Sequence, residues 1–284
     1  LTLVSAVVAG LMLAGAVFYY ASTMPPISAM YDGRAKGSVT LLDRYGDTFA
    51  WRGQQYAGLV TADTVSEDLK NAVIATEDKR FYRHFGVSPR GIASAIRINL
   101  SEGRAPLSGH GGSTLTQQTA KLLCLGVPYD PDSGMSEAEY EGDCRRGSLV
   151  RKGKEAIYAL ALEAKFSKDE ILTIYLNRAY LGSGAYGFEA ASQRYFAKSA
   201  SEITAGEAAI MAGALTAPSR YDPTNNFQRS WDRALTVVRL MEELPDGNPD
   251  VLGIPDAVFM RPTVTAIFDN VGDQVTLAEL IASG

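Results

Sequence analysis

The stretch Ala75-Thr76-Glu77-Asp78-Lys79-Arg80-Phe81-Tyr82-Arg83-His84-Phe85-Gly86 closes a helical pattern that begins behind Ser66. Two adjacent carboxylates, Glu77 and Asp78, stand near its centre. Neighbouring positions on a helix point about 100° apart, so one carboxylate can face a cleft while the other supports the backbone. A Glu-Asp pair at a helix end is also typical of a solvated surface, so the pair alone does not indicate a functional cleft.

A second cluster opens another helix further along the chain, with the sequence Gly111-Gly112-Ser113-Thr114-Leu115-Thr116-Gln117-Gln118 and then Lys121. Glycines let a backbone approach a ligand closely, and the first N–H groups of a helix favour anions. Hydroxyl and amide groups add hydrogen bonds to sugars and phosphates. The cluster therefore suits a phosphorylated sugar, although an N-capped helix with two exposed glutamines fits the bare pattern equally well.

A third cluster is Arg151-Lys152-Gly153-Lys154-Glu155. Arg151 and Glu155 are four residues apart, which places them on one face of a helix. Taken alone, this spacing predicts no more than an ion pair on a protein surface.

In this order, the three clusters resemble the peptidoglycan glycosyltransferase domain of class A penicillin-binding proteins and of monofunctional transglycosylases. Two more stretches agree with the same family, and the resemblance extends roughly from Ser66 to Leu244. These stretches are Lys168–Asn177 with Gly184–Ala191, and Arg233–Met241. Several blocks in one order are far more specific than any single motif.

The resemblance implies a reaction, in which lipid II is polymerised into glycan strands by inverting glycosyl transfer. New β-1,4 links form and undecaprenyl pyrophosphate is released. Glu77 is the implied catalytic base, and Glu155 is the second implied catalytic residue because it orients Arg151 and Lys152. The implied substrate-binding residues are Asp78, Ser113, Thr114, Gln117, Gln118, Lys121, Arg151 and Lys152. Asn177 and Glu189 are expected to be supports and not reactants.

The chemistry of the leaving group independently favours transfer over hydrolysis. A pyrophosphate leaves as a stable anion and needs cations more than it needs a proton. A glycoside hydrolase expels a poor leaving group and requires a general acid with a raised pKa. Two alternatives stay open at this stage: a lytic transglycosylase or lysozyme-like hydrolase, and an inactive scaffold for cell-wall synthesis.

The first twenty residues, Leu1 to Tyr20, carry no charge. At about 1.5 Å per residue they span roughly the 30 Å hydrocarbon core of a bilayer. We therefore expect a single-pass helix in the inner membrane, with the catalytic domain on the periplasmic or extracellular side. A cleaved signal peptide ending near Ala14-Gly15-Ala16 is the alternative, and it also places the body outside the cytoplasm.

The predicted architecture is mainly α: a lysozyme-like domain with a membrane-associated second lobe and an N-terminal transmembrane helix. The predicted boundaries are an anchor at 1–22, a stalk with a short β segment at 23–65, the glycosyltransferase domain at 66–245, and a linker or truncated segment at 246–284. Helix starts are expected at Ser66, Ser88, Ser113, Ser167 and Thr204, and helix ends at Gly103, Gly126, Gly182 and Pro218. The last helix is expected from Trp231 to Leu244, before the breaker Pro245–Pro249.

The net charge of the chain limits the classes of molecule that it is expected to bind. The chain has 27 Lys and Arg against 32 Asp and Glu, which gives no basic excess for nucleic acid. Expected partners are lipid II, the growing lipid-linked strand, the membrane and other cell-wall synthesis proteins. No cofactor is required, and a divalent cation, Mg or Mn, is neither required nor excluded. His84 and His110 have no zinc-site spacing, so no metal ligand is assigned and His84 is expected to be a structural hydrogen-bonding residue.

Two cysteines, Cys124 and Cys144, bracket an acidic insertion that is longer than the connection usual in the family. In an oxidising compartment they can form a disulfide worth on the order of 3 kcal/mol, and free thiols are the alternative. No Ser-x-x-Lys pattern occurs in the 284 residues, so transpeptidation by this sequence is not expected.

Overall fold

A computed structural model describes residues 2–31, 39–42, 44–45, 48–52, 58–106, 111–127, 129–244, 265–268 and 275–278. His110, the breaker Pro245–Pro249 and most of 246–284 lie outside the described residues. The described part is mainly helical, and it carries an apolar helix at its N-terminal end. The mainly α prediction is therefore confirmed.

The described residues contain twelve α-helices and three small antiparallel hairpins. The helices are α1 Thr2–Thr23, α2 Ile27–Tyr31, α3 Glu67–Glu77, α4 Pro89–Ser101, α5 Leu115–Leu122, α6 Glu137–Arg145, α7 Leu149–Lys165, α8 Lys168–Arg178, α9 Phe188–Phe196, α10 Ala205–Leu215, α11 Pro218–Tyr221 and α12 Phe227–Glu242. The hairpins pair β1 Val39–Leu42 with β2 Thr48–Arg52, β3 Tyr180–Gly182 with β4 Ala185–Tyr186, and β5 Thr265–Phe268 with β6 Val275–Ala278.

Local capping explains where most helices begin. The hydroxyl of Ser66 accepts a hydrogen bond from the backbone N–H of Leu69, and Ser88 caps α4 in the same way ahead of a proline at the first helical position. Ser167 and Thr204 start capping boxes with a glutamate three residues later. Four of the predicted starts are confirmed because each depends only on its own turn.

Several boundaries differ from the prediction. Gly182, which was predicted to end a helix, lies in β3, and the preceding helix α8 ends at Arg178. Thr114, and not Ser113, caps α5. Pro218 begins α11 instead of ending α10, since a proline at the first helical position loses no intrahelical hydrogen bond. The last helix begins at Phe227, four residues before the predicted Trp231, because the side chain of Asn226 accepts a hydrogen bond from the backbone N–H of Arg229.

Helix α10 forms the centre of the core. Its alanine-rich surface is buried, and α3 and α12 pack against it. Small side chains let neighbouring helices approach closely, which suits a helix that is apolar on all sides. The buried stripe of α3 runs from Leu69 to Ala75 and stops just before Glu77, so this carboxylate lies at the edge of the core. On the other side of the body, α5 packs against α7 and α8.

The apolar helix α1 is docked onto α7. The ring of Tyr20 meets that of Tyr158 edge to face, with centroids 5.6 Å apart. The ammonium of Lys165 donates a 2.7 Å hydrogen bond to the carbonyl of Met24, just beyond the end of α1. Tyr20 contacts Tyr158, and Met24, further along the chain, contacts Lys165, which is also further along the chain. The two helices therefore run in the same direction. The N-terminal part of α1 is exposed, and the span Val4–Thr23 is long and apolar enough to cross a membrane.

Cys124 and Cys144 form a disulfide, with their Cα atoms 5.3 Å apart. The turn that contains Cys124 adopts left-handed backbone conformations at three consecutive residues, with φ of 47° at Cys124, 56° at Leu125 and 78° at Gly126. Gly126 lies against the ring of Tyr158. Of the two options left open by the sequence, the structure shows the paired cysteines.

Two glycines in this region allow the close contact to be tested. A Cβ at Gly126 would lie 2.6 Å from a ring carbon of Tyr158, whereas a Cβ at Gly134 would meet nothing within 4 Å. Both have a similar positive φ, 78° and 72°. Gly134→Ala should therefore lower the free energy of unfolding by about 1 kcal/mol, from backbone strain alone. Gly126→Ala should cost about 3 kcal/mol, because a steric clash is added.

Denaturant unfolding of both variants measures this difference. Equal losses of stability in the two variants would contradict the tight packing of Gly126 on Tyr158.

Candidate active site

Glu77 is the last residue of α3 and lines a cleft of about 420 Å³. The cleft lies between the end of α3, the N-terminal part of α4, and the glycine-bearing loop before α5. Its lining comprises Glu77, Asp78, Lys79, Arg80, Ser88, Arg90, Gly91, Ser94, Ala95, Ile98, Gly111, Gly112, Ser113 and Thr114. The first two sequence clusters thus meet at one cavity.

The carboxylate of Glu77 accepts a hydrogen bond from the side-chain amide of Gln118 on α5. Burial raises the pKa of Glu77, the Gln118 hydrogen bond and the positive charge of Arg233 oppose this rise, and the negative charge of Asp78 adds to it. The pKa stays above the usual range for a glutamate. A carboxylate of raised pKa is a stronger base, which suits proton abstraction near neutral pH.

Asp78 supports the backbone around this cleft. Its Oδ2 accepts a 3.0 Å hydrogen bond from the N–H of Leu115, the first residue of α5, and lies 2.8 Å from Nε2 of His84. Its Oδ1 accepts a 3.3 Å hydrogen bond from the N–H of Arg80. Asp78 thus supports the backbone, but it is the non-helical C-cap of α3, with φ of -163° and ψ of 82°, and it lines the cleft beside Glu77, so helical spacing does not separate the two carboxylates. His84 is confirmed as a structural hydrogen-bonding residue. The engagement of both Asp78 oxygens favours a supporting role over the predicted contact with substrate.

Two residues expected to bind substrate are instead committed to the start of α5. Oε1 of Gln117 accepts a 3.0 Å hydrogen bond from the N–H of Thr114, and the side chain of Gln117 is buried. The hydroxyl of Thr114 donates a 2.5 Å hydrogen bond to the carbonyl of Gly86 and accepts one from the N–H of Gln117. The capping box thus turns Gln117 inward, and the structure does not support its prediction as a substrate ligand.

The third cluster forms a compact ionic group. Glu155 is only 2% exposed, and it accepts hydrogen bonds from Arg151 Nη1, at 2.7 Å, and from the ammonium of Lys152. Lys152 also donates a 2.6 Å hydrogen bond to the hydroxyl of Ser113, which lines the Glu77 cleft. The buried carboxylate therefore holds two cations behind the glycine-bearing loop, and Ser113 connects them to the cleft.

Three cations that were predicted to bind substrate do not line the described cleft. Lys121, Arg151 and Lys152 lie outside the described lining of the cleft. Three cations that the sequence analysis did not select, Lys79, Arg80 and Arg90, line it instead. Two of them follow directly after the Glu-Asp pair, so proximity in sequence was a signal for them. Arg90 lines the cleft because α4 forms one of its walls, and spacing in the sequence does not reveal this.

The sequence pattern of a family described as transglycosylase matches residues 45–242 of this chain. The chain belongs to the transglycosylase family. The matched region contains the cleft, its carboxylates and the buried ionic cluster, so the geometry described above belongs to the family domain. A family domain of this kind has the predicted lysozyme-like fold.

Relatives of this transglycosylase agree with the assignment. The chain is 38% identical over 224 residues to a penicillin-binding protein 1A of Aquifex aeolicus, covering 78% of this chain and 26% of that protein. It is 35% identical over 246 residues to a penicillin-binding protein 1A of Escherichia coli, covering 85% of this chain and 26% of that protein. The chain thus spans about a quarter of the length of the curated relatives it matches.

Two polar residues outside the cleft fix the framework of the transglycosylase domain. The amide of Asn177 is buried and bonds both the N–H and the carbonyl of Val60, at 3.0 and 2.6 Å. Glu189 accepts a 2.8 Å hydrogen bond from the N–H of Ala200. Both side chains tie loops to helices, as expected of supports. Among the described residues, no group of three or more His, Cys, Asp or Glu side chains gathers as a metal site.

The contact between Gln118 and Glu77 has a consequence for pH dependence. Gln118→Leu removes a hydrogen bond that lowers the pKa of Glu77, so this pKa should rise further. Because a base must be deprotonated, activity is lost as pH falls through this pKa, and the acid limb of the profile should move to higher pH. The profile of kcat/KM against pH measures the shift. An unmoved acid limb would show that Gln118 does not act on Glu77.

Proposed function

We propose that this transglycosylase polymerises lipid II into peptidoglycan glycan strands. The 4-hydroxyl of one lipid-linked disaccharide attacks the anomeric carbon of the lipid-linked donor. A β-1,4 link forms with inversion, and undecaprenyl pyrophosphate leaves. The proposal rests on family membership and on one geometric observation, namely a base and a cation pair that meet at the same loop.

Glu77 takes the proton of the attacking hydroxyl in this scheme. Support comes from its position in the cleft, its raised pKa, and its hydrogen bond to Gln118, which holds one carboxylate oxygen in place and leaves the other for the hydroxyl. Direct displacement assisted by one base gives inversion at the anomeric carbon. The scheme needs no second carboxylate that acts as an acid.

Arg151 and Lys152 hold the donor pyrophosphate and stabilise the charge that develops on it. Glu155 keeps both cations near the loop that Ser113 belongs to. A single buried carboxylate between two cations leaves the group with net positive charge, which suits a pyrophosphate that gains negative charge as it leaves. Lys121 stands one turn after Gln118 on α5, and Lys79, Arg80 and Arg90 add positive charge along the cleft.

The donor set in the cleft does not fit a metal held by the protein. Of the described residues that line it, the acidic ones are Glu77 and Asp78. Asp78 gives both of its oxygens to hydrogen bonds within the protein, and Glu77 gives one to Gln118. The reaction is therefore proposed without a required cofactor, and no step runs through Mg or Mn.

We place the catalytic body on the periplasmic or extracellular face of the inner membrane, with α1 as a single-pass anchor. The support is the apolar span Val4–Thr23 of α1, which is long enough to cross a membrane, and the docking of this helix onto α7. The first two residues of α7, Leu149 and Val150, are 79% and 73% exposed. We propose that this exposed apolar end of α7 belongs to a second lobe that touches the bilayer.

Incubation of the purified full chain with lipid II tests the function. We expect glycan polymer and released undecaprenyl pyrophosphate, and no shortening of preformed strands. Cleavage of preformed strands without polymer would favour the lytic transglycosylase or lysozyme-like alternative. Neither product from a well-folded chain would favour the inactive scaffold. Other cell-wall synthesis proteins remain proposed partners of the active chain.

A further inference from the structure

The disulfide loop, residues 124–144, connects two parts of the proposed site without belonging to either. Its first end follows α5, whose Gln118 contacts Glu77. Its second end lies in the last turn of α6 and leads into α7, which carries Arg151. Cys124 and Cys144 join these ends covalently, and the proposed reaction gives them no role.

The α5 end of the disulfide loop is held in an unfavourable backbone conformation. Cys124 and Leu125 are left-handed although neither is glycine. Residues with a Cβ adopt this conformation only where the surrounding structure imposes it. Packing of Gly126 against Tyr158 supplies one restraint, and the bond to Cys144 supplies another. Loss of the disulfide therefore removes one of the restraints that hold the turn.

The α7 end of the disulfide loop contacts Arg151 directly. The chain leaves Cys144 and, two residues later, the carbonyl of Arg146 accepts a 2.7 Å hydrogen bond from Arg151 Nε. Glu155 binds the opposite side of the same guanidinium through Nη1. Two partners thus fix the orientation of Arg151, and one of them is a backbone carbonyl whose position depends on the chain next to Cys144.

We propose that the Cys124–Cys144 disulfide is a positioning brace for Arg151, and that its reduction weakens binding of the donor pyrophosphate. This inference rests on the proposed function, in which Arg151 holds that group. A dithiol reductant breaks the S–S bond by exchange: two thiols form on the chain, and the dithiol gives two electrons and two protons as it becomes a disulfide. Both cysteines are half-buried, so such a reagent can reach them.

The first experiment compares oxidised and dithiothreitol-treated full chain, with a lipid-linked glycan donor varied at a fixed concentration of lipid II. Reduction should raise the donor KM about tenfold and change kcat less than twofold, since a hydrogen bond to a charged group is weakened. Reoxidation should restore KM. Cys124→Ala/Cys144→Ala should show the raised KM without responding to the reductant. Met135→Ala, at an exposed position inside the disulfide loop, is the matched control and should behave as the wild type.

The second experiment separates positioning from general stability. In an Arg151→Ala background the brace has nothing to position, so reduction should leave the donor KM unchanged there. The melting temperature should fall on reduction by the same amount in both backgrounds. An equal rise of KM in both backgrounds, or a fall of kcat with KM unchanged, would overturn the brace. Absence of polymer from the oxidised wild type would instead overturn the proposed function.

Discussion

Glu77→Gln is expected to reduce polymerisation of lipid II by about 10³-fold while leaving the fold unchanged. General base catalysis contributes roughly 10²–10⁴ to a rate, and the amide cannot accept the proton of the attacking hydroxyl. The substitution keeps the size of the side chain, which lies at the edge of the core and not inside it. Loss should appear in kcat, because the base acts in the transition state more than in binding. Initial rates with lipid II, together with a melting temperature, measure both effects.

The matched control for this change lies on the same helix. Glu67 stands in the first turn of α3, is exposed and does not line the described cleft. Glu67→Gln removes the same charge and should leave polymerisation within about twofold, with only a few tenths of a kcal/mol lost at the helix N-terminus. Near-normal strand synthesis by a folded Glu77→Gln chain would remove Glu77 from the role of base.

Glu155→Gln is expected to lower kcat/KM for the lipid-linked donor by about 10²-fold and also to destabilise the chain. The carboxylate is buried between Arg151 and Lys152, so its neutral replacement leaves two cations with weakened hydrogen bonds and without their shared counter-charge. Removing one partner of a buried ion pair costs several kcal/mol where the partners are fully desolvated. Arg151 and Lys152 are partly exposed, so a loss of about 2 kcal/mol is expected here.

Measurement of kcat/KM at varied donor concentration, with unfolding by denaturant, checks both effects of Glu155→Gln. Lys154→Ala is the matched control, because Lys154 is an exposed cation on the same helix next to Glu155. It should leave donor use and stability nearly unchanged. If Lys154→Ala weakened donor use as much as Glu155→Gln did, then donor use would depend on the overall positive charge of the helix and not on the buried ionic cluster.

Features that depend on a single turn of chain could be predicted from the sequence. The caps at Ser66, Ser88 and Ser167 are examples, since donor and acceptor are three residues apart. Helical geometry did not account for Glu77 and Asp78, because Asp78 is the non-helical C-cap of α3 and both carboxylates line the cleft. Prediction failed where a distant partner decides the outcome. Ser113 was predicted to cap α5, but its hydroxyl accepts a hydrogen bond from Lys152, 39 residues further along the chain.

The residues that line the cleft could also be predicted only in part from the sequence. The family resemblance implied that both Gln117 and Gln118 bind substrate, because a sequence cannot show which of two adjacent glutamines points inward. The capping box decides this by turning Gln117 to the N–H of Thr114, which leaves Gln118 to reach Glu77. Arg90 lines the cleft because α4 forms one of its walls, which the sequence alone did not show.

If α1 anchors the chain as proposed, its attachment to α7 through Tyr20, Tyr158 and Lys165 affects how the enzyme meets its substrate. A hinged tether would let the catalytic body tumble and sample many angles above the lipid surface. A docked helix removes that freedom and leaves lateral drift and spin about the bilayer normal. Under the proposed function, encounters then take place in two dimensions. Turnover should follow the number of substrate molecules per unit area of bilayer, and dilution with inert lipid should slow the enzyme even when bulk concentrations stay constant.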